Sequence, residues 1–312
     1  MKRLLKKCLG LMSAPRYVLA TPSLNKMGLQ VWRINSKLKE LQAPIDKKQP
    51  SAVIDAVEKL ERDGICLIPN FLSASECEQL ETEIATFKKS AALKRESGKE
   101  GGEIKWEHGN FPNQGFALVN ASFRNNKTLH AIIEGYTKRK VAFAPEVIYQ
   151  KLTVPEGFVD KDDIQTVLHA DRFYRTIKIF YTVSDHTEQN GAFWYSPRSQ
   201  VMNAERIGFE KEYSYRSALE KVGRKHIIDK NFFESGRSVI HPRFKEKFPP
   251  QQMCTPKNTL MIVDVSGFHK RGLISPGCTR ETIRMIYHYV HAPLWAQALL
   301  SMFKRAPARY LN

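Results

Sequence analysis

His169-Ala170-Asp171 sets an imidazole and a carboxylate two residues apart, after the short apolar pair Val167-Leu168. On a strand, residues i and i+2 project to one side, so both side chains can meet a single metal ion. A third donor must come from elsewhere. His269 follows LMIVDVSGF, which reads as a strand over 260–265 and a turn at Gly267. Two histidines and one carboxylate leave coordination positions open, a set suited to a non-haem ferrous ion that must also bind small molecules. His-x-Asp alone is weak, because a surface histidine beside a surface acid produces it by chance. The downstream pattern adds to it. Arg280 lies eleven residues past His269 and opens the β-like run ETIRMIYHYV. A guanidinium there can hold a carboxylate through two parallel hydrogen bonds. Arg284 in the same run competes for that role, and a rim salt bridge is the plain alternative for either.

Other titratable residues carry simpler expectations. His186 sits in the turn Asp185-His186-Thr187 and is expected to be exposed. His288, in a strand over 283–290, is expected to pack in the core. His108 lies in a loop and could reach the site, though no spacing requires it. Asp264, five residues before His269, is expected to be structural.

The elements that must position these residues are legible in outline. Residues 51–62 place Val53, Ile54, Val57 and Leu60 at helical spacing, and Gly64 stops the helix. An apolar strand over 65–68 follows. Ser73-Ala74-Ser75-Glu76 is a capping box that opens a second helix through 87. Residues 88–105 are polar and glycine-bearing, and read as a mobile loop, a possible lid. Another helix is expected over 127–136. Beyond 145 come short apolar runs separated by turn signals: 146–154, 167–170, 176–183, 191–195, 259–265 and 283–290. That texture predicts a mainly β fold with flanking helices, its core a double-stranded β-helix, the jelly roll of cupin-like proteins. Phe193, Trp194 and Tyr195 are expected in the barrel core. Residues 202–235 interrupt the pattern and predict an insertion over one mouth of the barrel. The expected organisation is a basic leader over 1–50, a single jelly-roll domain over 51–292 that carries the insertion, and an amphipathic basic tail over 293–312.

Composition bounds the chemistry further. The 312 residues hold 42% hydrophobic and 26% charged side chains, enough apolar material for a sizeable core. Lys plus Arg is 49 against 32 Asp plus Glu, a formal net charge of +17. Such a surface attracts anions. No zinc-finger or RNA-recognition motif appears, so an anionic substrate or membrane ranks above nucleic acid. Five cysteines, an odd set with no CxxC, argue against a disulfide framework and a cysteine-rich zinc site and fit a reducing, cytoplasmic setting. No run approaches the roughly 20 apolar residues of a spanning helix. MKRLLKKCLGLM is too interrupted for a signal peptide and can instead form a basic amphipathic helix lying on a membrane surface. A disordered or docked tail is the equal alternative.

The sequence resembles the phytanoyl-CoA dioxygenase family of iron(II)- and 2-oxoglutarate-dependent oxygenases. The resemblance rests on DGICLIPNFLSASECEQLETEI, on HAD, on the strand and Asn-Gly turn from 178 to 191 ending in WYSPRS, and on GFH followed by Arg280. It covers roughly residues 50–290. It implies His169, Asp171 and His269 as iron ligands and catalytic centre, Arg280 as the clamp on 2-oxoglutarate, and Tyr181 beside the cosubstrate. Dioxygen is then the oxidant. Because Asp171 is present, hydroxylation rather than halogenation is implied. Where relatives carry Pro-Gly-Ser-His, this chain has Arg198 for the glycine and Gln200 for the histidine. The segments DIQTVLHADRFYRTIKIFYTVSD and GFHKRG further resemble bacterial hydroxylases of Kdo, the acidic sugar of lipopolysaccharide inner core. In that reading Arg172, Arg175 and Lys178 could meet substrate anions. An acyl-CoA or small-metabolite hydroxylase is the first alternative. A non-catalytic lipid- or sugar-binding protein on the same fold is the second.

Overall fold

The computed structural model describes residues 22–41, 48–97, 104–141, 144–160, 165–221, 238–240 and 242–287. The expected N-terminal amphipathic helix, His288 and the C-terminal tail lie outside them. The chain opens with α1 (Pro22–Met27) and α2 (Leu29–Glu40). Next comes α3 (Ser51–Asp63), whose Val53, Ala56, Val57 and Leu60 form one buried stripe. Gly64 ends it at φ 78°, a left-handed turn that suits glycine. Strand β1 (Ile65–Pro69) leads to α4 (Ala74–Lys88). The capping box is made: Glu76 N–H donates to Ser73 Oγ at 3.4 Å, and Ser73 N–H donates to Glu76 Oε2 at 2.8 Å.

Strands β2 (Lys94–Ser97) and β3 (Lys105–Asn110) pair antiparallel, so the ends of the expected lid loop belong to a sheet, and His108 lies on a strand. A π-helical turn (Val119–Arg124) precedes α5 (Lys127–Thr137). The remaining strands are β4 (Glu146–Thr153), β5 (His169–Ala170), β6 (Ile177–Thr182) and β7 (Phe193–Tyr195). After α6 (Ala204–Lys221) come β8 (Ser238–Val239), α7 (Pro242–Lys247) and β9 (Gln251–Met253). The chain then adds β10 (Thr259–Asp264), β11 (His269–Arg271) and β12 (Thr279–Ile286).

The strands form two antiparallel sheets, β1-β10-β6-β12-β4-β3-β2 and β8-β5-β11-β7-β9. This is the predicted mainly β architecture with flanking helices. The period of two sorts side chains between the faces of the large sheet. Ile177, Ile179, Tyr181, Ile283 and Met285 turn outward, into the main core under α3, α4 and α5. Their neighbours Lys178, Phe180, Arg280 and Arg284 turn inward, toward the small sheet. Between the sheets pack Ile65, Phe193, Tyr195, Met261 and Val263.

The insertion does not cap a barrel mouth with its described part. Helix α6 lies on the outer face of the small sheet, where Phe209 and Tyr213 pack with Leu168, Ala170 and Phe268. Arg206 and Glu210, both fully buried, form an ion pair there. The second half of the expected leader is also part of the fold: Gln30, Arg33 and Ile34 are buried, and Gln30 Nε2 donates to Glu210 Oε2 at 3.3 Å. Among the described residues no helix is long and apolar enough to cross a membrane.

Candidate active site

Strands β5 and β11 lie side by side with His169 directly opposite His269. Leu168 and Ala170 turn outward to α6, so His169 and Asp171 turn inward. Asp171 is held by its backbone N–H, which donates to the Val265 carbonyl at 2.9 Å. One ligand atom from each of His169, Asp171 and His269 lies within 4.8 Å of the others. Nε2 of His169 is 3.6 Å from Asp171 Oδ1, and Nε2 of His269 is 4.0 Å from Oδ2.

Both rings are oriented the same way. His169 Nδ1 lies 2.7 Å from the Val167 carbonyl, and His269 Nδ1 lies 2.9 Å from the Gly267 carbonyl. A carbonyl can only accept, so each Nδ1 carries the proton and each Nε2 keeps its lone pair toward the carboxylate. Metal-ligating histidines are fixed by such outer hydrogen bonds. Two imidazoles and a carboxylate so arranged fit ferrous iron. Lys178 reaches from the large sheet and ion-pairs with Asp171 Oδ2.

Arg280 supplies the second half of the fit. It is 7% exposed, and its Nε has no hydrogen-bond partner among the described residues. Burial, with a smaller push from the Arg271 guanidinium, lowers its pKa to about 9. The nearby acid is already engaged: Asp160 accepts from Arg271 Nη1 and Nη2 and from the Ile274 N–H at 2.8 Å. Among the described residues no acid pairs with Arg280, and a buried cation without an anion is costly, so this guanidinium suits a carboxylate ligand. Arg271 ends β11 two residues beyond His269, about 7 Å along the strand. The two residues project to the same face of β11, so Arg271 and the triad share the inner side of the small sheet. Arg284 is also inward, opposite Phe180 and Ile148 in the register.

Several expected residues lie elsewhere. Tyr181 does not face the triad. The pleat that turns Lys178 and Phe180 inward turns Tyr181 outward, against Phe71 and Phe123, with its hydroxyl donating to Asn258 Oδ1 at 3.3 Å. His186 is not exposed. It is 1% accessible, because the turn that holds it forms a β-bridge with Thr255. Arg175 is committed to Glu61 and to the Tyr136 carbonyl, and so serves the fold. His108 stacks on Trp106 at 4.1 Å and pairs with Glu96. Asp264 accepts from Tyr136 Oη at 2.7 Å, Thr176 N–H at 3.1 Å and Ser266 N–H at 2.9 Å. It thereby shapes the turn that delivers His269. Of the aromatic trio, Phe193 and Tyr195 are buried and Trp194 is half-buried under Lys270. Arg198 adopts φ 66°, the left-handed conformation that a glycine enters without strain. Gln200 Nε2 donates to the Leu60 and Glu61 carbonyls at 3.2 Å each.

The family model described as phytanoyl-CoA dioxygenase (PhyH) matches residues 60–226, more than half of the chain. The chain belongs to the phytanoyl-CoA dioxygenase family. As a member it is an iron- and 2-oxoglutarate-dependent oxygenase. No curated protein matches the sequence. Among solved structures it is similar to the epimerase SnoN from nogalamycin biosynthesis, an α-ketoglutarate-dependent non-haem enzyme. The SnoN complex with Fe3+, α-ketoglutarate and nogalamycin RO has a TM-score of 0.52 at 13% identity, over 85% of this chain and 93% of that one. Another SnoN structure gives 0.50 at 14% identity, over 77% and 84%. EctD from S. alaskensis in its apoform gives 0.49 at 13%, over 80% and 78%. At these identities the likeness to solved structures is one of fold.

Proposed function

We propose that this dioxygenase hydroxylates an anionic substrate, the Kdo sugar of Kdo–lipid A, with His169, Asp171 and His269 holding iron and Arg280 holding the distal carboxylate of 2-oxoglutarate. The observation that carries the chemistry is the pairing of an inward His-Asp-His cluster with a buried guanidinium that meets no acid among the described residues. Iron and 2-oxoglutarate, when bound, supply the activation of dioxygen for C–H hydroxylation, with succinate and carbon dioxide as co-products. The protein's share is positioning. The two Nδ1–H groups fix the imidazoles, and Asp171 offers charge. Phe193 lies 5.7 Å from the His269 ring and 5.6 Å from Phe180, closing that side against water.

The substrate reading is supported by the net charge of +17 and by the HADRFYRTIKIFY and GFHKRG segments. Kdo–lipid A carries carboxylates and phosphates at a membrane, so a cytoplasmic enzyme peripheral to the inner membrane would meet it. Lys178 and Arg172 flank Asp171 and are the cations proposed to face substrate. An acyl-CoA is the competing substrate, since it too is anionic and gives the family its name. A purely binding role is disfavoured, because it needs neither the triad nor Arg280. The test is mass spectrometry of Kdo–lipid A from cells with and without the gene. Gain of one oxygen on Kdo is expected, and an unchanged spectrum overturns the substrate.

A further inference from the structure

Two buried nitrogen-bearing side chains stand together beyond the triad. One is Arg280. The other is His186, which is 1% exposed and has neither ring nitrogen hydrogen-bonded to a described residue. The backbone of His186 is clamped. Its N–H donates to the Thr255 carbonyl at 2.8 Å, and Thr255 N–H returns to the His186 carbonyl at 3.0 Å. Two residues before it, Ser184 Oγ accepts from the N–H of Glu281, the neighbour of Arg280, at 3.1 Å. Five residues after it, a Cβ on Gly191 would lie 3.5 Å from Arg280 Cδ and 2.8 Å from Ile274. The 184–191 turn thus wraps the root of the guanidinium.

His186 and Arg280 are close enough for their charges to oppose each other. Burial first, and Arg280 second, hold His186 well below the usual histidine range, opposed by the Glu281 backbone, whose approach to the ring falls short of hydrogen-bond geometry. A neutral imidazole still has one N–H to donate. Burying it without a partner has a cost that an apolar side chain would avoid. A carboxylate has more acceptor positions than one arginine fork fills.

We propose that His186 is a second hydrogen-bonding contact, beside Arg280, for the distal carboxylate of 2-oxoglutarate, and so a determinant of which keto acid the enzyme accepts. The proposal rests on the cosubstrate assignment and adds a residue to it. Anaerobic full-length protein loaded with Fe(II) is titrated with 2-oxoglutarate and, separately, with pyruvate, which lacks the distal carboxylate. The visible charge-transfer absorption reports binding, and Tm and iron affinity are measured alongside. For His186→Leu, 2-oxoglutarate binding weakens about tenfold or more, the size of one lost hydrogen bond to a charged group. Pyruvate binding, iron affinity and Tm hold, and His186→Gln recovers most of the loss. Equal weakening for both acids, or no weakening for either, overturns the role of His186. Wild-type protein that binds iron but no 2-oxoglutarate overturns the cosubstrate assignment itself.

Discussion

The triad is held by two devices. His169 and His269 are turned by hydrogen bonds to carbonyls two residues earlier in the chain, just before their strands, and Asp171 by its backbone bond to Val265. Removing one donor leaves the others in place. His169→Ala, Asp171→Ala and His269→Ala are each expected to abolish succinate formation while circular dichroism and Tm stay near wild type. Full turnover in any of them would remove that residue from the iron site. His169 and Asp171 were legible because a period of two is a local rule. Tyr181 was not, because β6 is apolar on both faces: Ile179 and Tyr181 point out while Phe180 points in, and the residues do not say which face meets the second sheet. His186 was hidden for a related reason, since the Asp-His-Thr turn looks solvent-exposed until Thr255 is brought beside it.

The turn between β10 and β11 decides where His269 goes. Its Gly267 is crowded: a Cβ there would lie 2.0 Å from the Tyr195 hydroxyl and 3.0 Å from Ser199 Oγ. That hydroxyl is buried and donates to the Asp264 carbonyl at 3.0 Å, so it cannot swing away. Gly267→Ala is expected to lower both Tm and iron affinity, measured by thermal unfolding and metal analysis. Helix α6 supports the same turn from outside. Arg206 donates to the Ser199 and Ser266 carbonyls at 2.9 and 2.7 Å and pairs with Glu210. Glu210→Ala leaves that cation buried without its acid and should cost about 3 kcal/mol of stability, read by denaturant unfolding. Retained stability would show that the two carbonyls suffice. The capping box and the α3 stripe were plain in the sequence because their partners lie within a few residues. The seating of α6 was not, because its partners lie in strands far along the chain.

Across the whole molecule the chain carries an excess of 17 positive charges, and the substrate proposed for it is an anion. Attraction between exposed charges is screened over about 8–10 Å at 0.1–0.15 M salt. The kcat/KM for an anionic substrate is therefore expected to fall steadily as NaCl is raised from low ionic strength, while 2-oxoglutarate, proposed to meet the buried Arg280, responds less. A flat salt response would show that the net charge plays no part in substrate capture.

What the sequence by itself determined were the donor types, the strand spacing that lets His169 and Asp171 share an ion, the helices with their caps, and the mainly β texture. These depend on contacts within a turn or a pleat. The tertiary structure alone decided that β5 and β11 are neighbours, which brings His269 to residues one hundred positions earlier. It also decided that Asp160 is spent on Arg271, that Arg280 meets no acid among the described residues, and that His186 stands buried beside it. Sheet closure sets those pairings, and its register comes from many distant contacts rather than from any local run of residues.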